Sequence, residues 1–236
     1  MTILVLDLHA MEKNVPETEK ILRAIQEYDK PHMIRLFSDQ FTYENIKPYH
    51  GIVLSGFDRF RILTAPKGLE LRDYLKRLEK EGKYILGICG GHHFLGVNYG
   101  CEYKKVKPQF GWPVIRLTNL GKTCDLFRGL DDFFTAFEFH YNGFTDVGDS
   151  EILARDENCV QAVKYSRRVF GIQFHPEESP KTGLDYLKFA YEKSDGAERA
   201  AMIEGGIHQA MSPEYVPQSY EEKIIFKNFV DMTSEV

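Results

Sequence analysis

Short, unbroken apolar runs alternate with stretches of helical periodicity through the first hundred residues. Residues 3–6 (Ile-Leu-Val-Leu) are apolar without interruption, as expected of a strand covered on both faces. Residues 33–36 and 51–54 predict a second and a third strand, the latter stopping at Ser55-Gly56. Residues 84–88 (Tyr-Ile-Leu-Gly-Ile) predict another buried strand, which ends at Cys89. Between these runs, residues 16–28 carry helix formers with apolar Ile21, Leu22 and Ile25. Leu71, Tyr74, Leu75 and Leu78 recur at helical spacing as far as Gly82, and residues 91–99 open a further helix. This β-α-β-α order predicts an α/β fold: an open, mostly parallel, doubly wound sheet with helices on both faces.

The pattern changes in the second half. Residues 113–117, 134–139, 152–155, 159–165 and 169–174 read as short strands separated by Gly, Asp and Asn turns, and predict an antiparallel strand extension of the sheet. After Pro180 the helical period returns. Residues 193–218, broken by Gly205-Gly206, Pro213 and Pro217, read as an atypical helical or loop insertion within a single domain spanning 1–236. Ser219-Tyr220-Glu221-Glu222 reads as a capping box for a last helix carrying Ile224, Ile225 and Phe229.

Composition narrows the function classes. The 236 residues carry a formal net charge of −5 with scattered Lys and Arg, which argues against a nucleic-acid backbone as the partner. No stretch approaches the roughly 20 apolar residues of a membrane helix. The N-terminal segment lacks the basic lead-in and cleavage site of a signal peptide. The four cysteines (Cys89, Cys101, Cys124, Cys159) show no C-x-x-C pair, so reduced thiols in a cytoplasmic protein are expected.

The strongest chemical signal is Gly87-Ile88-Cys89-Gly90-Gly91, a G-x-C-x-G between an apolar strand and a helix. This is the pattern of a nucleophile elbow, in which flanking glycines permit a sharp strand-to-helix turn. The thiol then lies at a helix N-terminus, where peptide dipoles favour the thiolate, and the Gly90 N–H points at a developing oxyanion. The competing reading is a buried cysteine beside a glycine-rich turn.

A thiol nucleophile needs an imidazole partner, and residues 169–177 supply one: a strand run that ends in His175-Pro176-Glu177. In an open α/β sheet the functional edge lies beyond the carboxyl ends of the strands, so Cys89 and His175 can meet there. Glu177 is spaced to accept the imidazole N–H and hold its tautomer. His9, His32, His50 and His208 lie in polar or turn-like surroundings and read as surface residues, whereas His92-His93 fall in the turn after Cys89, near the site. A metal reading of His92, His93, His140 and Cys89 lacks a ligand spacing, so neither a metal nor a cofactor is expected.

Together these residues resemble the class I (triad) glutamine amidotransferases, and most loosely among them the amidotransferase domain of GMP synthases. Gly51-Ile52-Val53-Leu54-Ser55-Gly56 resembles the strand leading to that family's oxyanion loop. Gly87-Ile88-Cys89-Gly90-Gly91-His92 resembles its elbow. Leu126-Phe127-Arg128-Gly129-Leu130 with His140-Tyr141-Asn142 resembles a segment around a substrate-side loop. Phe170-Gly171-Ile172-Gln173-Phe174-His175-Pro176-Glu177 is similar to its base-and-carboxylate strand. The resemblance covers about residues 1–180 and the final Phe226-Lys227-Asn228-Phe229 helix, and implies a flavodoxin-like core.

It further implies hydrolysis of glutamine to glutamate and ammonia through a γ-glutamyl thioester on Cys89, with His175 as base and Glu177 as its orienter. Oxyanion donors would come from Gly90 and the Gly56-Phe57 turn, substrate contacts from His93, His140 and Tyr141. With no synthase domain following in this chain, the ammonia would pass to a separate synthase subunit. Two departures bear on the pocket: Gly56-Phe57-Asp58 stands where the family carries Gly-Gly-Pro, and His93 stands where it carries a substrate-contacting glutamine. They keep two other readings open, a stand-alone hydrolase of γ-glutamyl amides or peptides and an idle amidotransferase-like regulatory subunit.

Overall fold

The computed structural model describes residues 2–9, 16–57, 60–218 and 220–234. Strand and helix alternate through β1 (Ile3–Asp7), α1 (Pro16–Gln26), β2 (His32–Arg35), the one-turn α2 (Tyr43–Ile46), β3 (Gly51–Leu54), α3 (Pro66–Lys80), β4 (Tyr84–Ile88) and α4 (Gly90–Asn98). Strands then predominate: β5 (Tyr103–Gly111), β6 (Val114–Leu117), the short helix α5 (Asn119–Lys122), β7 (Phe133–Thr135), β8 (Glu138–Phe144), β9 (Glu151–Arg155), β10 (Val160–Ser166) and β11 (Val169–Ile172). Helices α6 (Pro180–Lys193), α7 (Gly196–Glu204), α8 (Ile207–Ala210) and α9 (Ile224–Thr233) follow.

All these strands join one sheet, whose main path runs β2-β1-β3-β4-β11-β10-β9-β6-β7. The five strands from β2 to β11 are parallel; beyond β11 the pairing turns antiparallel, with β8 branching from β10 and carrying β5. The molecule thus has the mixed α/β architecture that the alternating pattern predicts, with a parallel centre and an antiparallel extension.

The unbroken apolar runs are explained by two-sided burial. Ile3 and Val5 of β1 enter a core shared with Ile21 and Ile25 of α1 and with Phe226 and Phe229 of α9. Leu4 and Leu6 enter the opposite core, with Leu71, Leu75 and Leu78 of α3 and Phe94 of α4. Because side chains alternate across a strand, each run must be apolar at every position to feed both. A third, smaller cluster lies under α6–α8, where Leu187, Met202, Ile207 and Ala210 pack on Phe110 and Phe137.

Three local readings are revised. β5 is not announced by the pattern, because Lys104, Lys105 and Lys107 interrupt its apolar positions. The 134–139 run is two strands: β7 pairs with β6, whereas β8 pairs with β5. His140 and Tyr141 lie within β8, not in a loop, with His140 opposite Gln109. The last helix begins at Ile224; Ser219 of the capping box and Asp58 lie outside the described residues. Among the described residues no helix is long and apolar enough to cross a membrane.

Candidate active site

β4 ends at Ile88, and the next residue is forced into a sharp turn. The Cys89 N–H donates to the Ile172 carbonyl (2.8 Å), which keeps it on the strand end, yet Gly90 is already the first residue of α4. Cys89 takes φ +48°, ψ −104°, the one positive φ of a non-glycine among the described residues. Such a conformation costs on the order of 1–3 kcal/mol and persists only where its surroundings dictate it. The glycines on either side make the turn passable. A Cβ on Gly87 would sit 2.5 Å from the backbone carbon of Gly91, and one on Gly91 would sit 2.5 Å from the Leu54 carbonyl oxygen. A Cβ on Gly90 would sit 2.5 Å from the Phe57 amide nitrogen, so the Gly90 and Phe57 backbones lie side by side next to the thiol.

β11 pairs in parallel with β4, Ile172 opposite Ile88, and so delivers the residues after it to the same edge. Beyond Ile172 the His175 N–H donates to the Phe137 carbonyl (2.8 Å), fixing the backbone that carries the imidazole. His175 Nδ1 lies 2.8 Å from Glu177 Oε1, with both side chains buried, and the ring stands close enough to Cys89 for the sulfur to act on its charge. The Tyr220 hydroxyl donates to the Pro176 carbonyl and braces the link between them. Burial opposes a charge on His175, but the Glu177 carboxylate and the Cys89 sulfur overcome it and hold the imidazole well above its ordinary value. Burial raises Glu177, partly offset by His175.

The remaining predicted residues divide. His93 is 5% exposed, its ring packed against Tyr103 and Phe144, and its Nε2 lies 2.7 Å from Gln173 Oε1. The Gln173 amide nitrogen in turn lies 3.8 Å from Cys89 Sγ, so His93 reaches the thiol through Gln173. Burial lowers His93 to about 3, which makes it a neutral ring donating from Nε2. His92 points away into the core and bonds the Tyr165 hydroxyl (2.8 Å). His140 is buried on β8 and bonds Glu138 (2.6 Å). The Tyr141 ring packs against Phe110 and Phe139 in the third cluster.

His9 is not a surface residue, in contrast to exposed His32 and His208. β1 ends at the buried carboxylate of Asp7, which draws the His9 ring to 2.7 Å and buries it. Two further groups reach the site from distant elements. Glu17 of α1 places Oε1 3.7 Å from His175 Nδ1 and Oε2 3.7 Å from His9 Nε2. Tyr186 of α6 stands close enough to Cys89 and His175 for their charges to act on its phenol. Neither belongs to a local motif; both arrive through tertiary packing.

The family model of the class I glutamine amidotransferases matches residues 16–194. The GMP synthase [glutamine-hydrolyzing] component of Methanococcus vannielii, one of that enzyme's subunits, is 31% identical over 132 residues, 55% of this chain and 65% of its own length. The corresponding protein of Methanococcus maripaludis is 28% identical over 68% of this chain and 82% of its own length. The HisH component of imidazole glycerol phosphate synthase from Helicobacter hepaticus is 26% identical over 66% of this chain and 82% of its own. A crystal structure of a glutamine amidotransferase from Thermotoga maritima superimposes with a TM-score of 0.72 at 17% identity, covering 100% of this chain and 99% of that one. The chain belongs to the class I glutamine amidotransferase family.

Proposed function

We propose that the chain hydrolyses the side-chain amide of glutamine to glutamate and ammonia, with Cys89, His175 and Glu177 as its triad. The observation that carries this reading is the thiol held at φ +48° on the sheet edge, close to an imidazole whose Nδ1 is anchored on a buried carboxylate.

The steps follow from that geometry. His175 Nε2 takes the Cys89 thiol proton, and the sulfur attacks the amide carbon. The oxyanion is held by the amides of Gly90 and of the Gly56-Phe57 turn, the backbones of Gly90 and Phe57 being adjacent. The imidazolium returns its proton to the leaving nitrogen, ammonia departs, and a γ-glutamyl thioester remains on Cys89. Water, deprotonated by His175, then attacks the thioester; glutamate leaves and the thiol is restored. Glu177 keeps Nδ1–H pointed away from the thiol throughout. Gln173, its carbonyl occupied by His93, turns its amide N–H₂ toward the sulfur.

Relatives named as subunits of GMP synthase and of imidazole glycerol phosphate synthase support delivery of the ammonia to a synthase partner. A second reading, hydrolysis of γ-glutamyl amides or peptides, is favoured by one observation: the residue at the family's glutamine position is a buried imidazole already committed to Gln173. Glutamate release from glutamine and from γ-glutamyl dipeptides, measured side by side for wild type and Cys89→Ala, tests both. Release from glutamine that vanishes in the variant supports the first reading, and release from dipeptides alone supports the second. Release that survives Cys89→Ala refutes the triad.

A further inference from the structure

We propose that Glu17, His175 and Glu177 form a binding site for a divalent transition-metal ion of the zinc type, and that its occupancy suspends hydrolysis. Only the inhibitory consequence rests on the catalytic reading of Cys89 and His175; the binding site stands on its own geometry.

One ring nitrogen of His175 and one carboxylate oxygen from each of Glu17 and Glu177 all lie within 4.8 Å of one another. Nδ1 is 2.8 Å from Glu177 Oε1 and 3.7 Å from Glu17 Oε1. Zinc bonds of roughly 2.1 Å at tetrahedral angles set ligand atoms about 3.4 Å apart, which falls between those two separations. A second, independent observation points to a ligand. The Glu177 side chain is fully buried, and among the described residues its Oε2 has no hydrogen-bond partner; Glu17 Oε1 is likewise buried and unpartnered. Buried carboxylate oxygens without donors are costly, and a cation held by Glu17 Oε1 and by the Glu177 carboxylate lowers that cost for both side chains.

The lysine on the same helix face is already committed. Lys20, one turn along α1 from Glu17, gives its ammonium to Glu178 Oε1 (2.5 Å). Glu17 is held from its other oxygen by the His9 ring, which is anchored on Asp7, so outer-sphere groups orient this ligand as they do in metal sites. One imidazole with two carboxylates suits zinc or its late first-row neighbours better than magnesium or calcium, which favour oxygen alone.

The consequence for the reaction follows from proton placement. A metal on Nδ1 takes up the lone pair of that nitrogen, so the single proton of the neutral ring moves from Nδ1 to Nε2. That is the atom that must accept the Cys89 proton, so the metal-bound imidazole cannot act as base.

Calorimetric titration of Zn²⁺ into the Cys89→Ser chain tests binding without the thiol. One ion per chain is expected, with Glu17→Gln in that background weakening affinity at least tenfold. Glu178→Gln, which removes the neighbouring carboxylate already bonded to Lys20, is expected to change it less than threefold. An affinity unmoved by Glu17→Gln, or lowered equally by Glu178→Gln, overturns the proposal. In the wild type, Co²⁺ should give ligand-field bands without a sulfur-to-metal charge-transfer band; such a band would put the ion on Cys89 and also overturn it. If the chain releases no glutamate from any substrate, the catalytic reading falls while the calorimetry still decides the metal site. If it does, Zn²⁺ should inhibit release, and Glu17→Gln should raise the zinc concentration needed at least tenfold.

Discussion

At the scale of the residue, Cys89 carries backbone strain that glycine would not. If the turn, not the side chain, sets φ +48°, Cys89→Gly should be more stable than Cys89→Ala, although neither retains the thiol. Relief of strain on the order of 1–3 kcal/mol, less the roughly 0.5–1 kcal/mol of extra unfolded-state entropy of glycine, leaves about 1 kcal/mol in favour of the glycine variant. Urea denaturation of the two variants measures this, and equal midpoints would mean that the turn is not strained. The His175–Glu177 pair makes a second comparison. On the proposed mechanism, removing the imidazole removes the base, whereas Glu177→Gln leaves the base and loosens its tautomer. His175→Ala should reduce hydrolysis to background, with Glu177→Gln retaining a measurable fraction, on the order of 10⁻² to 10⁻⁴ of wild type. Equal losses would assign Glu177 more than an orienting task.

At the scale of the element, the start of α9 carries a buried acid with a pH signature. Burial pushes Glu222 up from 4.5 to about 7. A carboxyl raised in the folded state favours folding in its protonated form. The penalty is therefore absent below the unfolded value near 4.5 and complete above about 7. Glu222→Gln should stabilise the chain by about 1–3 kcal/mol at pH 8 and by little at pH 5, since a tenfold change in proton affinity on folding is worth about 1.4 kcal/mol. Thermal unfolding at the two pH values checks this, and an equal effect at both would show that Glu222 does not titrate in that window.

The elements also show what the sequence makes legible. β1, β3, β4 and β11 are readable because each is buried on both faces, and a fully apolar run cannot be placed elsewhere. β5 is not, since its first five residues are half-buried or exposed and its lysines break the alternation. Cys89, His175 and Glu177 are readable because the elbow and the His-Pro-Glu ending are contiguous. Glu17 and Tyr186 are not, because α1 and α6 bring them to the site across the fold. His9 escapes for a related reason: nothing local shows that Asp7 is buried and able to hold an imidazole.

At the scale of the molecule, the parallel strands aim their carboxyl ends at one edge, and β4 and β11 are the adjacent pair that delivers Cys89 and His175, the proposed nucleophile and base. The other thiols lie outside the elbow. Cys101 is buried and pushed up to about 11, and burial likewise raises Cys124 and Cys159, so none competes as a thiolate near neutral pH. Incubation with a glutamine-analogue diazo-ketone, followed by intact mass and peptide mapping, therefore tests the central claim most directly. The account predicts one adduct per chain, on Cys89, formed in step with the loss of glutamate release and slowed by added glutamine. Adducts on Cys101, Cys124 or Cys159, or a chain fully labelled at Cys89 that still hydrolyses its substrate, would contradict it.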